Sequence, residues 1–404
     1  MKALTKIGIG FLSLVAVALW FTSCSSEDVA SGTNQGKMSS LTLSINTGKS
    51  MGSRATAWDG TTTPTSTDEN TINRLTVGIF DASTKKVKTI VELTSATTGG
   101  NSLSVSGNTA TAKIVTTSLA TGDDVLVAAN APAGNFAGVA DETGFNAKTE
   151  GIEIAVLSSS DNTKEINTNI PMYGASTLNG SGSTFTATVS VQHQLAKITL
   201  DNLSVDFAQD GPYKSAKFTP TEFFVVNVPT SLAFSTAAID ATATHLHGFG
   251  TAYGISAASE WGAYKEYLAT GTLSGSALFG IASSGTEKYG SKSFFYVTPS
   301  TDVTSNGKMK LIIAGKFDAD GTGAAEETVF YPVAINATYD AAGNATAADG
   351  GTLFQVSPNK NYKCTVVIKT KGTTDPTKNL DPQTATVTVT VTDFVEASQT
   401  TTFE

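Results

Sequence analysis

The chain has 404 residues, a formal net charge of −9 and only 15% charged residues. That acidic balance argues against a nucleic-acid partner, whose phosphates demand a basic surface. The length suits about two domains, each able to bury a core, and the Thr, Ser, Ala and Gly bias favours strands and turns over helices.

The first 24 residues read as an export signal. Lys2 and Lys6 precede an apolar run, Ile7–Phe21, that is short for a membrane span but suits a signal-peptide core. Phe21-Thr22-Ser23-Cys24 resembles a bacterial lipobox, with Phe21 where Leu is usual; Cys24 would be acylated and become the new N-terminus. An ordinary secretory signal cleaved nearby is the alternative. The acidic patch after Cys24, Glu27-Asp28, resembles a surface-export tag. With Cys24 acylated, Cys364 has no partner for an intrachain disulfide and reads as a buried small hydrophobe.

Residues 25–40 form a polar tether, and Leu41, Leu43 and Ile45 then alternate with polar residues as a strand. Residues 47–71 read as an exposed loop carrying Arg54, one of only two arginines with Arg74. Strands are predicted at 72–80, 86–93, 102–106, 111–116 and 124–129, with a helix or strand at 146–158. Ile170–Gly174 is expected to close the first domain, with a Ser/Gly linker at 175–184. The second domain is expected to open with strands 185–191 and 195–200 and to continue at 216–228, 292–298, 308–317, 328–335 and 362–369. Asp318–Gly321 is read as a hairpin turn and 256–270 as a short helix carrying Trp261, Tyr264 and Tyr267. A last strand, Thr384–Phe394, puts Val387, Val389 and Val391 on one face.

No residue set nominates an enzyme, and no cofactor is implied. The chain has no P-loop and no H-E-x-x-H. His245 and His247 share a strand face, but a surface strand explains them better than a metal, and no site is assigned to His193. Asp318-x-Asp320-Gly321 lacks the remaining ligand spacing of a calcium loop. Asp123-Asp124 and Glu326-Glu327 are read as turn or strand-edge carboxylates without a local partner. Trp261, Tyr264 and Tyr267 offer either core packing or a sugar-stacking platform, the basis of an alternative reading as a surface glycan-binding lipoprotein.

The two terminal strands carry more information. Both are three-pronged and apolar; the first lies upstream of a cuttable loop and the second at the chain end. Either both are ordinary core strands, or they compete for one groove, the first leaving after proteolysis and the second arriving from another copy. An added strand gains main-chain hydrogen bonds and plugs pockets with alternate side chains. Such a contact is head-to-tail and generates a filament.

These features together resemble the FimA/Mfa-type fimbrillins, the type V pilus subunits. The residues carrying the resemblance are the lipobox at Cys24, the strand at 38–45, Met51-Gly52-Ser53-Arg54-Ala55, the strand at 72–80, Ile170–Gly174 with Val189–Leu200, Asn361-Tyr362, and Val387–Phe394. Gln194 departs from the R-x-A-K form of the inter-domain passage. The resemblance implies an all-β fold of two β-sandwich (transthyretin-like) domains with short helices. It divides the chain into a signal (1–24), a propeptide (25–54), an N-terminal β domain (55–184) and a C-terminal β domain (185–404). It further implies a transient outer-membrane lipid anchor and cleavage of Arg54–Ala55 by an Arg-specific protease. The strand Leu41, Leu43, Ile45 is then lost, and a donor around Thr384–Phe403, with Val387, Val389, Val391 and Phe394, replaces it. Partners would be other copies, anchor and tip subunits, and surface receptors, in fimbriae serving adhesion and biofilm formation.

Overall fold

Alternation of apolar and polar residues drives most of this chain into strands. The computed structural model describes residues 38–47, 69–151, 169–235, 239, 245–248, 265–267, 273–274, 278–279, 294–340, 342–378 and 385–393. All of these lie in one compact unit, Lys37–Glu404. Cys24, Arg54, Ala55, Trp261, Tyr264 and Phe394 fall outside the described residues.

The chain first forms β1 (Met38–Asn46), β2 (Arg74–Phe80), β3 (Val87–Thr94), β4 (Ser102–Ser106), β5 (Thr109–Thr117) and β6 (Asp124–Ala129). There follow the short helix α1 (Glu142–Asn146), β7 (Thr149–Gly151), β8 (Met172–Thr177), β9 (Asn179–Ser181), β10 (Thr184–Ser190) and β11 (Gln192–His193). Asp141 caps α1 by accepting the Gly144 N–H at 2.9 Å. Gly107 takes φ +56 in the tight β4–β5 turn, a conformation that a side chain would strain. The strands build two facing sheets, ordered β4-β5-β1-β10-β9 and β11-β8-β6-β2-β3. Leu41, Leu43 and Ile45 share one buried cluster with Leu75, Val77 and Ile79 of β2 and Val125 and Val127 of β6.

The second sandwich uses β12 (Ala196–Val205), β13 (Lys217–Val226), β14 (Val228–Pro229), β15 (Ser231–Ala233), β16 (His245–Leu246), β17 (Lys265–Tyr267), β18 (Leu273–Ser274) and β19 (Leu278–Phe279). It continues with β20 (Phe294–Val297), β21 (Lys310–Asp318), β22 (Glu326–Ala334), β23 (Thr338–Tyr339), β24 (Ala345–Thr346), β25 (Lys360–Ile368) and β26 (Ala385–Asp393). One sheet runs β19-β12-β25-β26, with β20 also on β12; the other runs β17-β13-β21-β22, with β18 also on β13. Cys364 is fully buried between them, and burial pushes its thiol up to about 12, so it packs as a small hydrophobe.

Three expectations change. The strand expected to open the second domain at 185 is β10, which pairs with β1 in the first sandwich, so the passage between sandwiches comes after β11 rather than at 184/185. The helix expected over 256–270 is not the local structure at Lys265–Tyr267, which pairs with Glu222–Phe224 as a strand. Asp123 and Asp124 are not without partners: Lys88 Nζ reaches Asp123 at 2.8 Å, and Lys85 ion-pairs with Asp124. The Asp318–Gly321 hairpin forms as expected, with the Asp318 carboxylate accepting the Gly321 and Gly323 N–H groups at 3.1 and 2.8 Å.

Candidate functional site

The site is the groove that β1 fills. β1 lies in the middle of its sheet, antiparallel to β5 on one side and parallel to β10 on the other. Its burial alternates, so Leu41, Leu43 and Ile45 are fully buried while Thr42 and Ser44 face out.

Register makes three rungs across the groove. Leu41 lies between Ile114 and Phe185, Leu43 between Ala112 and Ala187, and Ile45 between Ala110 and Val189. The central rung sets a large side chain between two small ones, so the walls are narrow where the plug is wide. Burying three such side chains contributes about 1.5–3 kcal/mol each. The ladder is closed at its ends. Ser40 N–H donates to Ser183 O at 2.8 Å, Val191 N–H donates to Asn46 O at 2.9 Å, and the Thr47 hydroxyl donates to Asn108 O at 2.9 Å.

Without β1 the sheet would divide into two ribbons, β4–β5 and β10–β9, each with a bare edge toward the gap. The groove walls were not singled out from the sequence. Their signal was the Phe185, Ala187, Val189 alternation, the same three-pronged spacing as β1, but strand partners cannot be read from spacing alone.

Among the described residues, β26 lies at the end of its sheet and pairs with β25 alone, from Ala385↔Ile368 to Asp393↔Lys360. Val389 is buried there, while Thr388 and Thr390 are exposed. The structure therefore holds the two terminal strands in different sandwiches, the first central and the second at an edge.

The chain entering β2 is gripped at two places. Glu69 is buried, its carboxylate 2.9 Å from Lys197 Nζ and accepting the Tyr296 hydroxyl; the Glu69 carbonyl lies 2.9 Å from His193 Nε2. Burial holds the His193 pKa below the ordinary histidine value, so the ring is neutral and Nε2 donates. The Asn130 side chain donates to the carbonyls of Thr71 and Ile170 at 2.8 and 2.9 Å and accepts the Asn73 N–H at 2.9 Å.

The remaining sequence candidates form no common site. His247 accepts the Asn227 N–H at 3.1 Å on Nδ1. Among the described residues, no group of three or more His, Cys, Asp or Glu is arranged to hold a metal, and no helix is long and apolar enough to cross a membrane. Glu327 pairs with Lys371 at 2.6 Å. Gln194, at the position that departs from R-x-A-K, is buried and donates to Gln192 O at 3.0 Å.

Residues 39–201 match the family profile described as "Major fimbrial subunit protein (FimA)". No curated protein sequence matches the chain. Among solved structures, a candidate cell adhesion protein from Bacteroides eggerthii DSM 20697 is similar at TM-score 0.57 and 21% identity, over 90% of this chain and 98% of that one. A second, from Parabacteroides distasonis ATCC 8503, is similar at TM-score 0.58 and 14% identity, over 88% and 98%. A fimbrilin (FimA) from Porphyromonas gingivalis W83 is similar at TM-score 0.55 and 18% identity, over 89% and 99%. At these identities the structures speak for the fold, while the profile covers β1, the groove and the passage into β12. The resemblance read from the sequence is thereby borne out: residues 39–201 match the major fimbrial subunit family, and the chain has the all-β fold of a fimbrilin.

Proposed function

We propose that this protein is a structural subunit of surface fimbriae, exported as a lipoprotein on Cys24, cut between Arg54 and Ala55, and polymerised by strand exchange. The observation that carries the reading is the position of β1. It completes the middle of a sheet by non-covalent pairing alone. The connection between it and Glu69 contains Arg54, so a cut there frees the strand from the body.

The replacement strand comes from the C-terminus of another copy. Among the described residues of its own chain, β26 pairs along one flank; in the groove a strand pairs along two and fills three pockets, so transfer is favourable. Val387, Val389 and Val391 repeat the spacing of Leu41, Leu43 and Ile45, with Phe394 beyond them. The lipid and the plug leave together, which makes the anchor transient and favours a stalk subunit over a basal one. Other fimbrial subunits and an Arg-specific protease are the partners, and adhesion and biofilm formation are the uses this architecture suits. The glycan-binding alternative rests on Trp261, Tyr264 and Tyr267, of which Trp261 and Tyr264 lie outside the described residues.

N-terminal sequencing of surface-extracted protein, with SDS-PAGE run without boiling, tests the proposal. Ala55 as the mature N-terminus with an oligomer ladder supports it, and Arg54→Ala should abolish both. A protein that stays acylated at Cys24 and monomeric overturns it.

A further inference from the structure

The seam between the sandwiches holds a buried polar node that the groove itself does not need. Its centre is the Glu69–Lys197 ion pair, 2.9 Å long with both side chains under a tenth exposed. Lys197 lies in β12, 4.0 Å from the Phe294 ring centroid, and Tyr296 of β20 also reaches Glu69. His193 of β11 bonds the Glu69 carbonyl through Nε2, and its Nδ1 lies 3.3 Å from Asn359 Oδ1, just ahead of β25. One residue of the β1–β2 connection thus meets a strand of the first sandwich and two of the second.

A buried ion pair returns little net stability for its desolvation, but it fixes one arrangement because either charge alone would be stranded. The residue it fixes is telling. Glu69 follows the segment that contains Arg54 and precedes β2, whose Leu75, Val77 and Ile79 form the floor beneath β1. When β1 leaves, that floor loses its cover, and β2 is held by its pairing with β3 and β6, so any fraying would begin at its N-terminal end. A fixed point at 69 stops the fraying there, and the Asn130 grip on 71–73 continues it into the strand.

We infer that the Glu69–Lys197–Tyr296–His193 node is an anchor that lets β1 depart without loosening β2 or the seam, keeping the emptied groove in shape for an incoming strand. This rests on the reading that β1 leaves. The anchor matters little while β1 is in place and becomes decisive once it is gone.

The test is hydrogen exchange at residues 72–80 in the full chain, before and after an Arg-specific protease, for the native sequence and for Glu69→Gln/Lys197→Met. The double variant strands no charge and is expected to fold. Before cutting, the two should protect β2 alike. After cutting and loss of β1, the native chain should keep that protection and the variant should exchange at least about tenfold faster, with a smaller oligomer yield. Equal protection after β1 loss overturns the anchor. If the native chain is not cut, or keeps β1 after cutting, the proposed maturation fails and the anchor is still decidable. Leu43→Asp expels β1 from the uncut chain, and the same two backgrounds are compared on it.

Discussion

Leu43 of β1 lies directly across from Ala112 of β5, and both are fully buried. With Ala187 on its other flank, Leu43 is the large member of a large-small match at the middle of the groove. Leu43→Ala should cost about 2–5 kcal/mol, the transfer loss plus the cavity. Ala112→Phe should cost about 1–3 kcal/mol by overpacking and should also exclude any replacement strand. Urea unfolding of the full chain measures both, and a shift in midpoint without change in slope keeps the comparison valid. If Leu43→Ala is neutral, β1 does not seal the core.

Arg74 should survive a protease that cuts Arg54. It starts β2, pairs with Thr94, accepts the Asn130 N–H on its carbonyl at 2.9 Å, and points its guanidinium toward Glu92 at 3.5 Å. A protease needs an extended, unpaired substrate, and this backbone is already engaged. Native digestion with an Arg-specific enzyme should give one new N-terminus, Ala55; denatured protein should add Leu75. Mass spectrometry of the intact fragments reads the difference, and a native fragment starting at Leu75 would contradict it.

Val389→Asp should release β26 from β25. The side chain is 3% exposed among apolar neighbours, so a carboxylate there has no compensation. Amides of 385–393 should exchange at least about tenfold faster while β12 and β25 stay protected. The same substitution should reduce oligomer formation, since a charge would also enter the groove of the next copy. Truncation after Thr384 should remove ladders entirely; ladders that persist would locate the donor elsewhere.

Glu150 should make stability fall as pH rises. It lies in β7, which pairs with β15, and burial pushes its carboxyl up to about 8. The folded state therefore holds a proton that the unfolded chain has released above about 4.5. Stability is fullest below that value and is lost progressively as pH climbs through about 8. Glu150→Gln should flatten this slope and be the more stable form at pH values above about 8, as read from denaturation midpoints across pH. Identical profiles would show that the carboxyl is solvated.

Local pattern carried much of the fold. The strands at 102–106 and 124–129 were legible to the residue, because alternation and turn residues bounded them on both sides. The Trp261, Tyr264 and Tyr267 spacing suggested a helix, but pairing with β13 decides the backbone at Lys265–Tyr267. β10 was assigned to the wrong sandwich because a Ser/Gly stretch that looks like a linker is instead the β9–β10 hairpin, Asn179↔Thr186 to Ser181↔Thr184. In the candidate site, β1 was visible as a plug, yet Ala112 and Ala187 as its pocket walls were not. Register between distant strands is set by the whole core, and so is the meeting of Glu69 with Lys197.

The parallel pairing of β1 with β10 also sets an order of events in time. Ile45 must find Val189, and that contact closes a loop spanning the rest of the first sandwich. A contact of such long range forms late, after the local hairpins β2–β3, β4–β5 and β9–β10 have been rewarded. As the polypeptide emerges, one flank of β1 can be taken by β5, while its other flank waits on β10, made long after it. Mutations in β1 should accordingly speed unfolding more than they slow folding.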